Sequence, residues 1–478
     1  MKKLQKKPLG VFSALFVAMG ATVGTGIVLT HGSILTATGS ILIALIGWII
    51  AGLLIIPQMM VQGEMTSAYP GAGGPYVFFK KAGFKRASFM YGWAYAIWGW
   101  PFSIAFRAFV TFQFLDFLIQ VIIGQNGAFF NPWVLRSFAA ITIIVFGLIN
   151  YFSVKWGALV NNILTIGKIS LMALIIIIAF TKFDGNNFLG AIANQLVKDN
   201  NVVMVWFKGI TFSVALAIWS YNGINTIAYM APEFKNPQKT LPLVMIFGTV
   251  LIIIIYALFV IALGGLLSAN EAINAVNDKT VNVNNIALLA IQKLNLQWVA
   301  ITLVFLIFVL SLSTVFTFTK VAPRLPYAMA QDQLFFKSFS KISKYNTPGI
   351  AILANTGLSA LLSFVPFGTD FIVIFFTFGT AIMNLLISLV ILKCAKNVDY
   401  NPIYKIKHRI LVLTCSILSC TFVAVSGFYT AFSTISTNWI LVLAPICSLL
   451  SMSSAFPVYW LWQKWQKKLP QTAILNTK

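Results

Sequence analysis

A chain of 478 residues in which 59% are hydrophobic and only 9% are charged cannot cover the surface of a water-soluble domain, because soluble domains carry about 25% charged residues. This composition indicates an all-α polytopic membrane protein. The net charge of +23 is also typical of nucleic-acid binders. Because the basic residues lie between apolar segments, we attribute the charge to membrane topology and expect no nucleic-acid partner.

About twelve apolar runs are long enough to span a membrane, which takes ~20 residues each. They fall at residues 10–30, 39–62, 86–118, 132–151, 157–181, 204–231, 241–267, 297–322, 350–366, 369–394, 409–432 and 437–462. Most intervening loops are short, so we predict one transmembrane domain over residues 1–478. Its predicted parts are a tail at 1–9, a core at 10–366, a tenth span at 369–394, two further spans at 409–462 and a tail at 463–478.

The basic residues also predict the orientation of these spans. With the amino terminus in the cytoplasm, most of the 33 Lys and Arg residues fall on the inner side of the membrane. This is the bias of the positive-inside rule, and it predicts a multi-pass plasma-membrane protein with both termini in the cytoplasm. The opening MKKLQKKPLG and the apolar run after it resemble a signal peptide. We expect no cleavage, because the run is long enough to span and no small-residue cleavage site closes it.

The first span contains the glycine-rich stretch GATVGTGIVLTHG at residues 20–32. An unpaired backbone group costs several kcal/mol in hydrocarbon, so a broken helix persists only where protein, water or a ligand satisfies the freed groups. The sixth span contains a second interruption, SYNG at 220–223. Paired interruptions at matching positions of two repeats indicate a midplane binding site, and these spans match if each repeat holds five helices. For either span alone, glycines that allow close helix packing remain an alternative explanation.

No pattern in the chain favours an enzyme. His31 and His408 have no His, Asp or Glu partner at metal or triad spacing, and the four cysteines lack metal-ligand spacing. We therefore predict no metal, no cofactor and no catalytic residues. The chain also lacks a GxxxxGK[ST] phosphate loop, so we expect exchange or an ion gradient, rather than ATP, to supply the energy.

Five stretches resemble the amino acid, polyamine and organocation (APC) transporter superfamily in order and spacing. They are GATVGTGIVLTHG, GEMTSAYPGAGGPYVFFKKAGF, NNILTIGKIS, AIWSYNGINTIAYMAPEFKNPQKTLP and PRLPYAMAQDQLF…NTP. GGLLSANEAI and TIGK are most similar to the L-amino-acid transporter family of the bacterial serine/threonine exchanger type, while the IWS-aromatic-x-G pattern is similar to arginine antiporters. The resemblance implies the LeuT/APC fold, with 12 transmembrane helices in a 5+5 inverted repeat, broken helices 1 and 6, and two C-terminal helices.

The broken helices predict how a zwitterionic amino acid binds. Free N–H groups at the start of a half-helix, with its positive dipole end, suit a carboxylate. We assign this role to Thr25, Gly26 and Ile27, with Gly24 and Gly26 allowing close approach. Carbonyls freed at the breaks would accept from the ammonium, as the resemblance also implies. These carbonyls lie at Ala21, Thr22, Ala217, Trp219, Ser220, Tyr221 and Asn222.

The resemblance assigns roles to side chains around the same site. Trp219 matches a gating aromatic and is expected to lie over the substrate and close the outward path. Phe318 matches a substrate-contacting aromatic, and Pro101 lies near the level of the substrate; packing is the alternative role for each. Asn225 stands where the antiporter pattern has a glutamate, which favours a neutral substrate over a cationic one.

Two basic residues lie within the predicted spans. The resemblance implies that Lys168 takes the place of a cation that bridges helices 1 and 8 in sodium-coupled relatives; the alternative is a proton carrier. Arg107 has a fork of donors that favours an acidic substrate, but it could instead snorkel or pair with Asp116. Near the inner side, Glu64 is expected to form a salt bridge to the basic loops.

The sequence thus predicts a secondary transporter of amino acids, with a neutral L-amino acid as the substrate class. It leaves open whether transport is exchange or proton symport, and whether the protein forms a homo-oligomer in the lipid bilayer. A cationic amino acid or polyamine antiporter is the nearest alternative, and a channel or amino-acid sensor is more distant.

Overall fold

The structure is a computed structural model that describes residues 9–124, 128–152, 154–189, 202–278, 281, 283–294, 297–366, 368–433 and 439–468. Within these ranges the chain is helical almost throughout, and its one strand-like pairing is a parallel bridge between Leu9 and Phe234. The α-helices are α1 (Val11–Thr22), α2 (Thr25–Thr38), α3 (Ile41–Ala68), α4 (Pro75–Lys81), α5 (Lys85–Trp93), α6 (Trp100–Ile123), α7 (Pro132–Phe152), α8 (Val154–Phe180), α9 (Asn186–Leu189), α10 (Val202–Tyr221), α11 (Pro237–Leu266), α12 (Ala269–Asn277), α13 (Ile286–Gln292), α14 (Gln297–Val321), α15 (Arg324–Gln331), α16 (Gly349–Leu362), α17 (Thr369–Cys394), α18 (Arg409–Ser433), α19 (Leu443–Ser453) and α20 (Ala455–Lys468). A π-helix and four 3₁₀-helices lie between them, at Ala94–Gly99, Ile224–Glu233, Val283–Asn285, Lys337–Ser340 and Trp439–Val442.

Eleven helical segments in the described ranges are long and apolar enough to cross a membrane. They confirm the prediction of an all-α polytopic membrane protein. The run predicted at 350–366 forms α16, which has only 14 residues and therefore rises about 21 Å, less than the ~30 Å of the hydrocarbon core. The count of twelve spans and the 5+5 repeat stay predictions. Most of the two predicted tails lies outside the described residues.

The first and sixth spans are each interrupted near their middle. In the first, α1 ends at Thr22 and α2 begins at Thr25, because Val23 and Gly24 both leave the helical region. In the sixth, α10 ends at Tyr221 and the chain continues after Gly223 as a 3₁₀-helix of 10 residues. Runs of 3₁₀-helix longer than three or four residues are uncommon, and in the middle of a span they mark hinges.

The third span changes its helical pitch just before its proline. The π-helix at Ala94–Gly99 separates α5 from α6, and Pro101 follows in the first turn of α6. Proline lacks a backbone N–H and is accommodated at a helix start. Tyr95 lies within this π-helix and Trp100 directly follows it. Both residues line a cavity between the spans.

The interrupted spans lie at the centre of the molecule. The half-helix α10 packs against α2 and α3, while α1 packs against α8, α11 and α14. Apolar side chains on the outer helices, such as Ile141, Ile163 and Phe247, are exposed. A continuous apolar surface of this kind is a liability in water, whereas in a bilayer it contacts lipid.

Candidate functional site

The two interruptions lie directly against each other. A Cβ atom built on Gly26 would lie 2.9 Å from Cα of Ser220, and one built on Gly223 would lie 2.8 Å from Cα of Thr22. The hydroxyls of Thr30 and Ser220 are also within hydrogen-bond distance, at 3.2 Å. Only glycine allows backbones to approach this closely, so the glycines bring both sets of freed backbone groups to one place.

The amino terminus of α2 presents buried backbone donors. The first N–H groups of a helix have no partner within it. Among the described residues, the N–H groups of Thr25, Gly26 and Ile27 have no hydrogen-bond acceptor elsewhere, although all three residues are buried. An anion is the ligand that such a helix terminus favours.

The carbonyls at the two breaks are partly satisfied by Tyr256 of α11. Its hydroxyl lies 2.9 Å from the carbonyl oxygen of Thr22 and 3.1 Å from that of Ser220. A single hydroxyl proton cannot serve both carbonyls fully. The site therefore keeps accepting capacity for a ligand ammonium.

Lys168 lies behind the first break and is fully buried. Its Nζ donates to the carbonyl oxygen of Gly20 at 2.9 Å and to Oγ1 of Thr314 at 2.8 Å. The lysine therefore links α8 to both α1 and α14, and it also gives the broken helix a donor for a freed carbonyl.

A small cavity of about 40 Å³ lies beside the two breaks, well below the roughly 300–1,000 Å³ that small-molecule sites occupy. The third, sixth, eighth and tenth spans supply its walls, which comprise Tyr95, Gly99, Trp100, Ser103, Arg107, Trp219, Asn222, Gly223, Asn225, Thr226, Tyr229, Phe318, Phe376 and Thr380. Most of these side chains are nearly inaccessible to solvent. Six of the fourteen wall residues, Asn222 and Asn225 among them, remain partly exposed.

Five residues singled out in the sequence line this cavity, namely Arg107, Trp219, Asn222, Asn225 and Phe318. The remaining predicted site residues are not among the residues that line it, and they are Ala21, Thr22, Gly24, Thr25, Gly26, Ile27, Pro101, Lys168, Ala217, Ser220 and Tyr221. Tyr221 points away, because its hydroxyl donates to the backbone carbonyl of Trp48 on α3 at 2.9 Å.

Arg107 is the charged side chain of the described cavity wall, and only 2% of its surface is exposed. Its guanidinium lies 4.3 Å from the ring centre of Trp219 and 4.5 Å from that of Phe318. Nε donates to Oγ of Ser103 at 3.2 Å, and Nη1 donates to Oγ1 of Thr25 at 3.4 Å.

The alternative positions considered for Arg107 are wrong. The side chain does not snorkel, because it is buried at the site. Asp116 does not pair with it either, since the Asp116 carboxylate accepts from Gln120 and from the backbone N–H groups of Phe129 and Phe130. These local donors hold Asp116 at the far end of α6.

Aromatic side chains that the sequence did not predict also lie at the cavity, where Trp100 and Tyr229 line it. The hydroxyls of Tyr91 and Tyr229 are 2.5 Å apart, and Trp100 packs edge-on against Tyr229 with ring centres 5.1 Å apart. These aromatics are separated widely along the chain and are common in membrane spans, so the sequence does not single them out.

The sequence also did not predict the role of Tyr256 at the breaks. Its one signal is its position as a lone hydroxyl within the apolar stretch LIIIIYALFV.

Ion pairs gather on one face of the molecule, here called the basic face, where they join loops that follow different spans. They are Lys80–Asp332, Lys81–Asp399, Arg324–Glu233 and Arg409–Glu64. The pair of Glu64 with Arg409 confirms that Glu64 makes a salt bridge to a basic loop. In addition, Leu9 exchanges backbone hydrogen bonds with Glu233 and Lys235, which ties the start of the described chain to the end of the sixth span.

Comparison with known proteins adds independent evidence. The model of the amino acid permease family matches residues 9–450. The serine/threonine exchanger SteT of Bacillus subtilis (strain 168) is 25% identical over 373 residues, which cover 75% of this chain and 77% of that protein. The glutamate/serine transporter AimA of the same strain is 26% identical over 76% of this chain and 67% of that protein. The human b(0,+)-type amino acid transporter 1 is 24% identical over 56% of this chain and 53% of that protein.

Proposed function

The chain belongs to the amino acid permease family, and from this we propose that it is a secondary transporter which moves an amino acid across the plasma membrane by alternating access. Family membership over nearly the whole chain confirms the resemblance seen in the sequence. Rocking of the two repeats, together with bending at the interrupted first and sixth spans, would expose one midplane site to each side in turn. Both termini lie in the cytoplasm in this proposal.

The observation that carries the proposal is the set of free buried N–H groups at Thr25, Gly26 and Ile27, placed against the second break. A zwitterion must exchange water for partners at both of its charged ends, since an unpaired ion in a low-dielectric site is very costly. The α2 terminus supplies donors for the carboxylate. The carbonyls near Thr22 and Ser220 supply acceptors for the ammonium.

The cavity disfavours a substrate with a cationic side chain. Its described wall contains Arg107 and no Asp or Glu. The guanidinium of Arg107 would repel a cationic side chain in the cavity. This argues against the cationic amino acid or polyamine antiporter, for which an acidic wall residue is needed. The proposed substrate is therefore an amino acid whose side chain is neutral or anionic.

Exchange is the mode of coupling that we favour over proton symport. Lys168 is fully buried and hydrogen-bonded to Gly20 and Thr314, which supports the role of a fixed cation rather than a proton carrier. The similar protein SteT is named as an exchanger. Trp219 is the proposed outer gate, because it covers the cavity and packs edge-on against Phe106 with ring centres 5.6 Å apart.

The test is uptake of radiolabelled serine, leucine, glutamate and arginine into proteoliposomes that are empty, preloaded with amino acid, or acidified outside. We expect saturable uptake only into preloaded vesicles, and none of arginine. Uptake into empty vesicles driven by outside acid would replace exchange with proton symport. Binding without flux would instead identify a sensor, and unsaturable flux would identify a channel.

A further inference from the structure

Arg107 has more hydrogen-bonding capacity than its neighbours use. A guanidinium has five N–H donors, all in one plane, and stays charged in proteins. Its two described hydrogen bonds go to the neutral hydroxyls of Ser103 and Thr25, at 3.2 and 3.4 Å. No ion pair of Arg107 occurs within the described ranges.

Two aromatic rings lie against the guanidinium of Arg107. Trp219 lies 4.3 Å and Phe318 lies 4.5 Å from the guanidinium carbon, so aromatic rings cover the group. Such contacts stabilise a cation, but they leave its in-plane edge without an anion. Because Arg107 lines the cavity, that edge is available to a ligand there.

A buried cation without a counter-ion is costly unless a partner arrives. The α2 terminus already offers donors to the carboxylate that all amino acids share. Resting on the proposed function, we infer that Arg107 binds a second carboxylate, that of the substrate side chain, so that the preferred substrates are aspartate or glutamate. The amides of Asn222 and Asn225 line the same cavity and are further donors for that group.

A different arrangement would place the shared carboxylate on Arg107, since Nη1 lies 3.4 Å from Thr25 at the start of α2. The two arrangements differ in selectivity. If Arg107 held the shared carboxylate, replacing Arg107 would weaken the binding of every amino acid equally. If it holds the side-chain carboxylate, only acidic substrates lose a partner, and the ratio between glutamate and glutamine changes.

The experiment measures kcat/KM for exchange of glutamate, aspartate, glutamine, asparagine and serine in proteoliposomes. For the wild type we expect kcat/KM of the acidic members to exceed that of their amides by roughly 30-fold or more, the discrimination expected from a buried charge pair. In Arg107→Gln the glutamate-to-glutamine ratio should fall by roughly 30-fold or more, the loss expected when a buried charge pair is truncated. Arg107→Lys should retain part of the acidic preference.

The matched control is Arg136→Gln, which removes another arginine that contacts an aromatic ring, in this case Phe109. Arg136 lies outside the cavity wall and donates to the backbone carbonyls of Ser363 and Val365. Its loss should lower kcat/KM for all substrates by the same factor and leave the glutamate-to-glutamine ratio unchanged. Monodispersity in size-exclusion chromatography verifies folding of each variant.

Three outcomes separate this inference from the proposed function. If folded Arg107→Gln protein shows an equal fall in kcat/KM for all five substrates, the side-chain assignment is overturned. A wild type that exchanges only neutral amino acids would also overturn it, while the proposed function would stand. A wild type that moves no amino acid would remove both.

Discussion

At the scale of single residues, the two buried basic side chains differ in their surroundings. Lys168 directs its ammonium to a carbonyl and a hydroxyl at 2.8–2.9 Å, whereas Arg107 meets two hydroxyls at 3.2 and 3.4 Å. Lysine acts as a compact point charge and arginine as a planar fork suited to carboxylates. The geometry therefore separates a cation that joins helices from one that faces a ligand.

Replacing Lys168 with methionine should abolish exchange and lower thermal stability. The change keeps an unbranched apolar stem but removes the donor to Gly20 and Thr314, and each buried acceptor left unpaired costs about 1–3 kcal/mol. A thermal shift in detergent and exchange in preloaded vesicles measure the two effects. Full exchange activity in Lys168→Met would show that the first break does not need this cation.

Replacing Tyr256 with phenylalanine should weaken substrate binding as well as stability. Its hydroxyl serves the carbonyls of Thr22 and Ser220 at the two breaks. Tyr221→Phe is the control, because it removes a similar bond, to Trp48, away from the cavity. Both changes should cost about 1–3 kcal/mol of stability, but only Tyr256→Phe should raise KM. Equal KM values for the two variants would refute the role of Tyr256 at the breaks.

At the scale of helices, the juxtaposition of α2 and α10 depends on a missing side chain. A Cβ on Gly26 would meet the backbone of Ser220 at 2.9 Å, closer than real Cβ contacts allow. Because backbone cannot move aside as a flexible side chain does, the two half-helices would have to separate. Their separation would also displace the free donors at the start of α2.

Gly26→Ala should therefore reduce both transport and stability, with a cost of about 1–3 kcal/mol, as for other overpacked sites. Gly167→Ala is the matched control, since a Cβ there meets nothing within 4 Å and alanine is the better helix former. The control should keep its activity and melt at the same or a higher temperature. Comparable losses in both variants would mean that close packing at Gly26 is not the cause.

The positions of the breaks could be predicted from the sequence, but their side-chain environment could not. Glycine-rich stretches mark Gly24 and Gly223, and their matching places in the first and sixth spans favour breaks over close helix packing alone. The placement of Arg107 between Trp219 and Phe318 depends on packing among three spans that are far apart in the chain. Nothing in the pattern around Arg107 distinguishes this position from a snorkelling one. The length of α16 was overestimated because the apolar run continues beyond the end of the helix.

At the scale of the whole molecule, we propose that contacts on the basic face act as a gate to the cavity. Glu233 pairs with Arg324 at 3.0 Å, and both side chains are largely buried. Backbone hydrogen bonds between Leu9 and residues 233 and 235 reinforce the same end of the sixth span. In this proposal, the site opens toward the basic face when these contacts separate.

Glu233→Gln should shift the protein toward the state that is open on the basic face. Removing one partner of a buried pair costs about 3–5 kcal/mol, and this cost falls on the closed state alone. The measurement is the rate of thiol alkylation at Ser103→Cys, which lines the cavity, in a background without the four native cysteines. The rate should rise when the reagent reaches the basic face.

Glu271→Gln serves as the control for this experiment. Glu271, in the first turn of α12, pairs with Lys293 just after α13 at 2.6 Å, and both side chains are exposed; exposed pairs contribute only about 0–1 kcal/mol. Its loss should leave the alkylation rate unchanged. An unchanged rate in Glu233→Gln as well would mean that the pair with Arg324 does not act as a gate.

The net charge carried in each direction determines how exchange responds to membrane voltage. An elementary charge that crosses the full field gains or loses about 2.3 kcal/mol per 100 mV, and Arg107 and Lys168 lie within the spans. When both directions of the cycle carry substrates of equal charge, the charge that moves inward equals the charge that moves outward. With the acidic substrates inferred for Arg107, exchange of glutamate for aspartate would move no net charge, whereas exchange of glutamate for serine would generate a current.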